Sequence, residues 1–362
     1  MPGSEPASGG TGGVARIVPW SCTMVTMAVP QRRFPRRVSL TDIARACGVA
    51  PSTVSRAMSN PGRVSVQMYE RITRKAVEMG YSSAMLPIDS EGRARGTIGL
   101  VLPNLTNPFV FDLLRGSQAQ CQAAGFLQLL ISTEDSAHVE QEWLKELSRT
   151  VDGIVIAAPR SDDAVLTTIS YAVPLVVINR EVPEISSLII DTASASVQAL
   201  NYLVSLGHRR IAYVRGPETS WTDRARWNAL SAAAEHSEAE LLPIGSFHPS
   251  LAAGGAAADA VALSGVSAAL FFNDTLAIGA MVRFRQRGID IPGDISVVGC
   301  DDIFGAATAD PPLTTITASG DRAGRAATEL LIGRFTSKAP APRVDHVSAH
   351  LTVRDSTGPA RV

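Results

Sequence analysis

The sequence predicts an α/β protein: a small all-α helix–turn–helix headpiece followed by a two-lobed, doubly wound parallel-sheet domain. Three observations carry that prediction. Residues 39–81 place apolar side chains at helical spacing, broken by turn residues. From Thr97 onward, short continuous apolar runs alternate with amphipathic stretches of helical length, as parallel strands covered on both faces require. The strand candidates are 98–102, 127–131, 153–156, 175–178, 188–190, 211–214, 268–272 and 296–299, with helices such as 107–124 and 194–206 between them. That is too many strands for one comfortable sheet, so a division near Asp191 gives two similar halves with a cleft between them.

Bulk properties narrow the function. The chain has 362 residues, 45% of them hydrophobic, enough for more than one packed domain. Its net charge is −1, but between residues 31 and 95 twelve Arg or Lys face five Asp or Glu, a balance of +7 that leaves about −8 for the rest. A basic end on an acidic body is the electrostatic footprint of a nucleic-acid-binding module on a sensor. Cys22, Cys47, Cys121 and Cys300 are far apart and form no C-x-x-C pair, so packing residues are expected rather than a metal site or a disulfide framework. No apolar run reaches the roughly 18 residues of a membrane span, and the first thirty residues lack the pattern of a signal peptide. A cytoplasmic, nucleoid-associated protein with no membrane partner is expected.

Taken in order, residues 1–37 form a Gly-, Ser- and Pro-rich extension, expected to be disordered, that ends in Arg32, Arg33, Arg36 and Arg37. The headpiece is expected over 38–82. Ser39 is placed to cap the first helix, with Asp42 as a short-armed capping box. Leu40, Ile43, Ala44 and Cys47 share one helical face, Gly48 allows the turn, and Pro51 opens the second helix. Val54 and Met58 continue the buried face, leaving Pro51, Ser52, Ser55 and Arg56 outward. A small polar face with one Arg suits a major groove, where Arg grips guanine bidentately. In a third helix capped by Ser65 and ended by Gly80, Tyr69, Ile72, Ala76 and Val77 are expected inside.

The words T-D-I-A-R-A-C-G-V-A-P-S-T-V-S-R, R-V-S and E-M-G-Y closely resemble the headpiece of the LacI/GalR family of transcriptional regulators. The resemblance puts base reading on Pro51, Ser52 and Arg56, and phosphate or nearby base contacts on Thr53, Ser55 and Arg63; Ser39 joins the expected DNA-binding set. Pro51 has no side-chain donor, so direct reading rests mostly on Ser52 and Arg56. Residues 83–96 correspond to the family's hinge linker, which depart from its pattern at Pro87 and at Ser90, where a wedge Leu is expected. The resemblance continues through I-G-L-V-L-P-N-L-T-N-P-F, S-L-G-H-R-R-I-A-Y-V-R-G-P, F-F-N-D-T-L-A-I-G-A, D-I-S-V-V-G-C-D-D, P-P-L-T-T-I and V-R-D-S-T. It implies an effector-binding and dimerisation domain over 97–357, two lobes like periplasmic sugar-binding proteins, with crossovers near Asp191 and Ile316 and a tail at 358–362.

In open α/β sheets, ligands bind beyond the carboxyl ends of the strands. That rule and the resemblance give an expected effector site of Asn107, Phe109, Arg180, Trp221, Arg226, Asn273 and Asp301. Polar side chains beside an aromatic plane suit a sugar. Against this stand plainer roles: Asp274 and Asp302 as helix caps, Trp221 as core, His208 as a structural residue. The first body strand leads into P-N-L-T-N-P-F, which has no glycine, and G-x-S-x-G, P-loop and H-E-x-x-H motifs are absent, so no enzyme, cofactor or metal is expected. A secreted carrier would not need the headpiece. The expected partners are a pseudo-palindromic double-stranded operator, a small carbohydrate effector and a second copy of the chain, with a non-sugar effector such as a nucleobase, or corepression, as the alternative.

Overall fold

The computed structural model describes residues 40–59, 64–79, 96–335 and 341–361. The chain divides into two compact units, Met1–Ser82 and Ser83–Val362. Ser39, Arg63, Met1–Arg37 and the linker with Pro87 and Ser90 lie outside the described residues.

In the first unit, α1 spans Leu40–Cys47, α2 Pro51–Ser59 and α3 Val66–Glu78. Gly48 turns between α1 and α2 at φ +61°, a conformation that costs glycine nothing. Ile43, Ala44, Cys47, Val54, Ala57, Ile72 and Ala76 form the small core. Ser65 caps α3 by accepting from Met68 N–H at 3.4 Å. The expectation for Tyr69 is corrected: it is 37% exposed, and Met68 packs inward instead, because 68 and 72 share the i, i+4 row that faces α1 and α2. The Arg71 guanidinium donates to the Cys47 carbonyl, tying α3 to the electronegative end of α1.

In the second unit the strands are β1 Thr97–Leu102, β2 Leu127–Ser132, β3 Gly153–Ala157, β4 Leu175–Ile178, β5 Ser186–Asp191, β6 Arg210–Val214, β7 Glu240–Ile244, β8 Ala268–Phe271, β9 Ser296–Asp301, β10 Thr314–Ala318 and β11 Val344–Thr352. The helices are α4 Phe109–Ala123, α5 Ala137–Thr150, α6 Asp163–Ala172, α7 Thr192–Ser205, α8 Trp221–Ala234, α9 Leu251–Ser264, α10 Asp274–Gln286, α11 Phe304–Thr308 and α12 Gly320–Gly333. Among the described residues the strands run β2-β1-β3-β4-β5-β11-β10-β9-β8-β6-β7. Each half repeats one order about its own switch point, β1 in the first lobe and β6 in the second. Cores lie on both faces of each half, as the apolar runs require.

Three strands went unread in the sequence. β7 is an edge strand whose Pro243 and mostly exposed or half-buried residues hide it. β10 and β11 are rich in Thr, Ser and His and pair antiparallel, Ile316 opposite Leu351. β11 also pairs in parallel with β5, Leu188 opposite Asp345, so it is a third connection between the lobes beyond those near Asp191 and Ile316. α12 follows the second lobe in sequence yet packs on α4 of the first. That packing needs glycine: a Cβ on Gly116 would overlap the Asp321 backbone, and one on Gly324 the Leu113 carbonyl.

Candidate functional site

Two surfaces hold the candidate residues, one in each unit. On the first, the exposed face of α2 presents Pro51, Ser52, Ser55 and Arg56, with Thr53 half-buried. The Arg56 guanidinium lies back along its own helix, Nε donating to Ser52 O at 3.2 Å and Nη2 to Ser52 Oγ at 3.4 Å. The helix carries no acidic residue in its first turn, so nothing on α2 opposes approach of a phosphate backbone there.

On the second, a cavity of about 120 Å³ opens between the lobes, beyond the carboxyl ends of the strands. Asn107, Phe109, Arg226, Asn273 and Asp301 line it, brought together from β1, β6, β8 and β9. Asn273 caps α10 by accepting from Leu276 N–H at 3.0 Å. Its Nδ2 has no partner, although the residue is 2% exposed. A buried amide donor left without an acceptor costs free energy unless a ligand or water meets it.

Arg226 is buried, 4.6 Å over the Phe272 ring, with Nη1 donating to Phe272 O at 2.6 Å and Nε to Thr222 O at 3.4 Å. Burial alone would lower its pKa, but the acidic groups around it outweigh that and keep it charged. The start of α8 is pinned by Asp223, which accepts from Tyr213 OH at 3.0 Å, Gly216 N–H at 2.9 Å and Arg215 Nη2 at 2.6 Å. Asp301 ends β9. Burial pushes its carboxyl up to about 6, against the downward pull of the Asn107 amide and Arg226. Ala158, Asn179 and Asp301, all lining the cavity, have φ of 45°, 60° and 118°. Backbone strain gathered at strand ends is a mark of sites where side chains must be aimed.

Two expected site residues are elsewhere. Arg180 donates to Ser161 O at 2.6 Å, to Pro159 O at 3.3 Å and to Asp163, holding the loop after β3. The left-handed turn at Asn179 sends Arg180 away and leaves Asn179 on the cavity. Trp221 opens α8 and faces a neighbouring groove with Glu181, Asp191 and His346. Thr222 and Arg226, four residues apart on one helical row, face the cavity instead. Asn104, Asp135, Arg160 and Phe272 were also missed; the strand-end rule applied to β2 and β3 would have found Asp135 and Arg160. Arg160 holds Asp135 through Nε at 3.1 Å and Nη2 at 2.7 Å.

Other polar residues prove structural. Asp302 accepts from Arg354 Nη2 at 2.6 Å and Thr317 Oγ1 at 2.8 Å. Asp274, fully buried, accepts from Thr315 Oγ1 at 2.6 Å and Ile303 N–H at 2.9 Å, and burial with Asp301 nearby pushes its carboxyl up to about 7. His208 is buried between Ser267, Ser296 and the Gly358 carbonyl, and burial lowers its pKa.

A helix–turn–helix with a polar, basic outer face, joined to a two-lobed sheet with a polar cavity between its lobes, defines a DNA-binding regulator with a ligand-binding domain. Comparison with known proteins names the family. The model for bacterial regulatory proteins of the lacI family matches residues 39–83, and that for a periplasmic binding protein-like domain matches 200–357. The chain is 30% identical over 336 residues to the HTH-type transcriptional regulator DegA of Bacillus subtilis (strain 168), covering 89% of this chain and 99% of DegA. It is 28% identical over 332 residues to the HTH-type transcriptional repressor CytR of Escherichia coli (strain K12), covering 88% and 96%. A solved complex of the transcriptional regulator CelR with cellobiose matches with a TM-score of 0.67 at 26% identity, covering 88% of this chain and 100% of that one. The chain belongs to the LacI family of bacterial transcriptional regulators; it is a regulator and not an enzyme.

Proposed function

We propose that this protein is a homodimeric repressor whose operator affinity is set by an uncharged polyhydroxylated ligand, a sugar or sugar derivative, bound between the lobes. The observation that carries the ligand class is the Asn273 amide donor, buried without a partner in the cavity that the Asp301 carboxylate also lines. A donor and an acceptor in one cavity suit hydroxyls, which both give and take hydrogen bonds. The charged groups lining the cavity are Asp135, Asp301, Arg160 and Arg226, and they balance. Arg160 and Arg226 already have acceptors, which disfavours a phosphorylated or carboxylated ligand. CelR, a relative, is solved with cellobiose.

Phe109, Arg226, Asn273 and Asp301 form the ligand contacts in this reading, with Asn107 on the cavity wall beside Asp301, and Ser52 and Arg56, with Pro51, Thr53 and Ser55, form the DNA contacts. A second copy is supported by apolar residues left exposed: Phe111, Leu127 and Leu129 on the first lobe, and Leu251, Val282 and Phe304 on the second. Two headpieces then read a pseudo-palindrome, one half-site each, in the cytoplasm. Binding is held largely by phosphate contacts and weakens with salt.

The test is selection of duplexes from a random library by the purified protein, repeated with a panel of neutral sugars, phosphosugars and nucleobases. An enriched palindrome that one neutral sugar abolishes or sharpens supports the reading. Enrichment governed by a nucleobase or phosphosugar replaces the ligand class, and no enriched sequence with any addition overturns operator recognition.

A further inference from the structure

Asp301 already has a partner from the opposite lobe. Asn107, in the loop between β1 and α4 of the first lobe, donates from Nδ2 to Asp301 Oδ2 at 3.0 Å, across the cleft and 194 residues along the chain. Its orientation is imposed locally. Asn107 Oδ1 accepts from Phe109 N–H at 3.2 Å, and the Asn107 N–H donates to Asn104 Oδ1 at 3.4 Å, so the amide nitrogen is aimed outward at the second lobe. Asn104 in turn donates to Asp135. Asp135 meets a second residue from across the cleft, His248 Nε2 at 3.4 Å, but that imidazole is 62% exposed and the pair is open to screening. The Asn107–Asp301 bond is the sheltered one.

We propose that Asn107 is an internal stand-in for the ligand. With the cavity empty, its amide occupies the Asp301 carboxylate and clasps the two lobes together. A ligand hydroxyl takes that carboxylate, displaces Asn107 and removes this contact between the lobes. The two events exclude each other because the Asn107 amide fills the cavity space in front of Oδ2 that the hydroxyl must enter. Ligand affinity is therefore lowered by the clasped fraction, and occupancy is converted into lobe movement. This inference rests on the reading of the cleft as the ligand site.

The variant Asn107→Ser keeps a hydroxyl that accepts from the Phe109 N–H but is too short to reach Asp301. Asn107→Asp keeps the same local acceptor and sets a second carboxylate against the first. The Ser variant should bind the sugar found by the operator screen more tightly than the parent, on the order of tenfold by calorimetry. The ligand-free operator affinity of both variants should move to the value the parent shows when ligand is bound. Weaker or unchanged sugar binding by the Ser variant overturns the proposal, since Asn107 is then a ligand contact or a bystander. Hydrogen–deuterium exchange without ligand separates this failure from failure of the site itself. Loss of the clasp should speed exchange in residues 301–304 of the second lobe, which a merely local loosening near Asn107 leaves unmoved. If residues 301–304 are unchanged, the clasp is absent whatever the cavity binds. If they speed up while no sugar binds the parent, the clasp stands as a contact and the sugar reading falls.

Discussion

Asp301→Asn is the sharpest probe of the cavity. The exchange is nearly isosteric, so packing against Cys300 and the end of β9 is preserved, while the anion that faces Arg226 and Asn107 is removed. A hydrogen bond to an ionised acceptor is worth about 1.5–3 kcal/mol, so in the Asn107→Ser background, where no clasp competes and which serves as the parent here, ligand affinity should fall by roughly 10- to 150-fold. The pH profile gives a second reading. Burial pushes the carboxyl up to about 6. Ligand binding to the ionised form is therefore full above that pH and declines below it, to roughly a tenth by pH 5. The Asn variant should start lower and show no decline there. Calorimetric titration of both proteins between pH 5 and 8 makes the measurement. A variant that binds within threefold of the parent, or a parent whose affinity is flat across this range, refutes the role given to Asp301.

Three further outcomes are expected. Arg56→Ala should weaken operator binding by about 1–3 kcal/mol and relax the preference at one base pair of each half-site, read by anisotropy on single-substituted operators; an unchanged preference removes Arg56 from base reading. Gly324→Ala should force α4 and α12 apart at the Leu113 carbonyl, cost about 1–3 kcal/mol and lower the melting temperature by roughly 2–4 °C per kcal/mol, checked by calorimetry. Asp274 has a folded pKa raised to about 7. Its protonated form is the one the fold favours, so its contribution is full below the unfolded value near 4 and lost as pH rises through 7, by about 4 kcal/mol at most. Urea denaturation should show the parent losing more stability between pH 5 and 8 than Asp274→Asn does; equal slopes would assign the titration elsewhere.

The two kinds of fold, the alternation of strands and helices and the family were legible in the sequence because each is written in local patterns. Apolar spacing in 39–81 sets helices, and continuous apolar runs such as those of β1, β3 and β4 set buried parallel strands. Asn107, Phe109, Arg226, Asn273 and Asp301 could be nominated because strand ends in such sheets point to one edge and because the family resemblance marks the same positions.

Tertiary structure decided what no window of sequence contains. β11 joins both lobes although its residues look polar, since its neighbours β5 and β10 supply hydrogen-bond partners rather than apolar cover. Arg180 and Asn179 differ by one position, and a left-handed turn chooses which of them faces the cavity. Trp221 loses its expected place to Thr222 and Arg226 because a helix rotates each residue by about 100° from the last. The pairing of Asn107 with Asp301 depends on how two lobes close, and side-chain contacts across a cleft leave no periodicity in the chain that forms them.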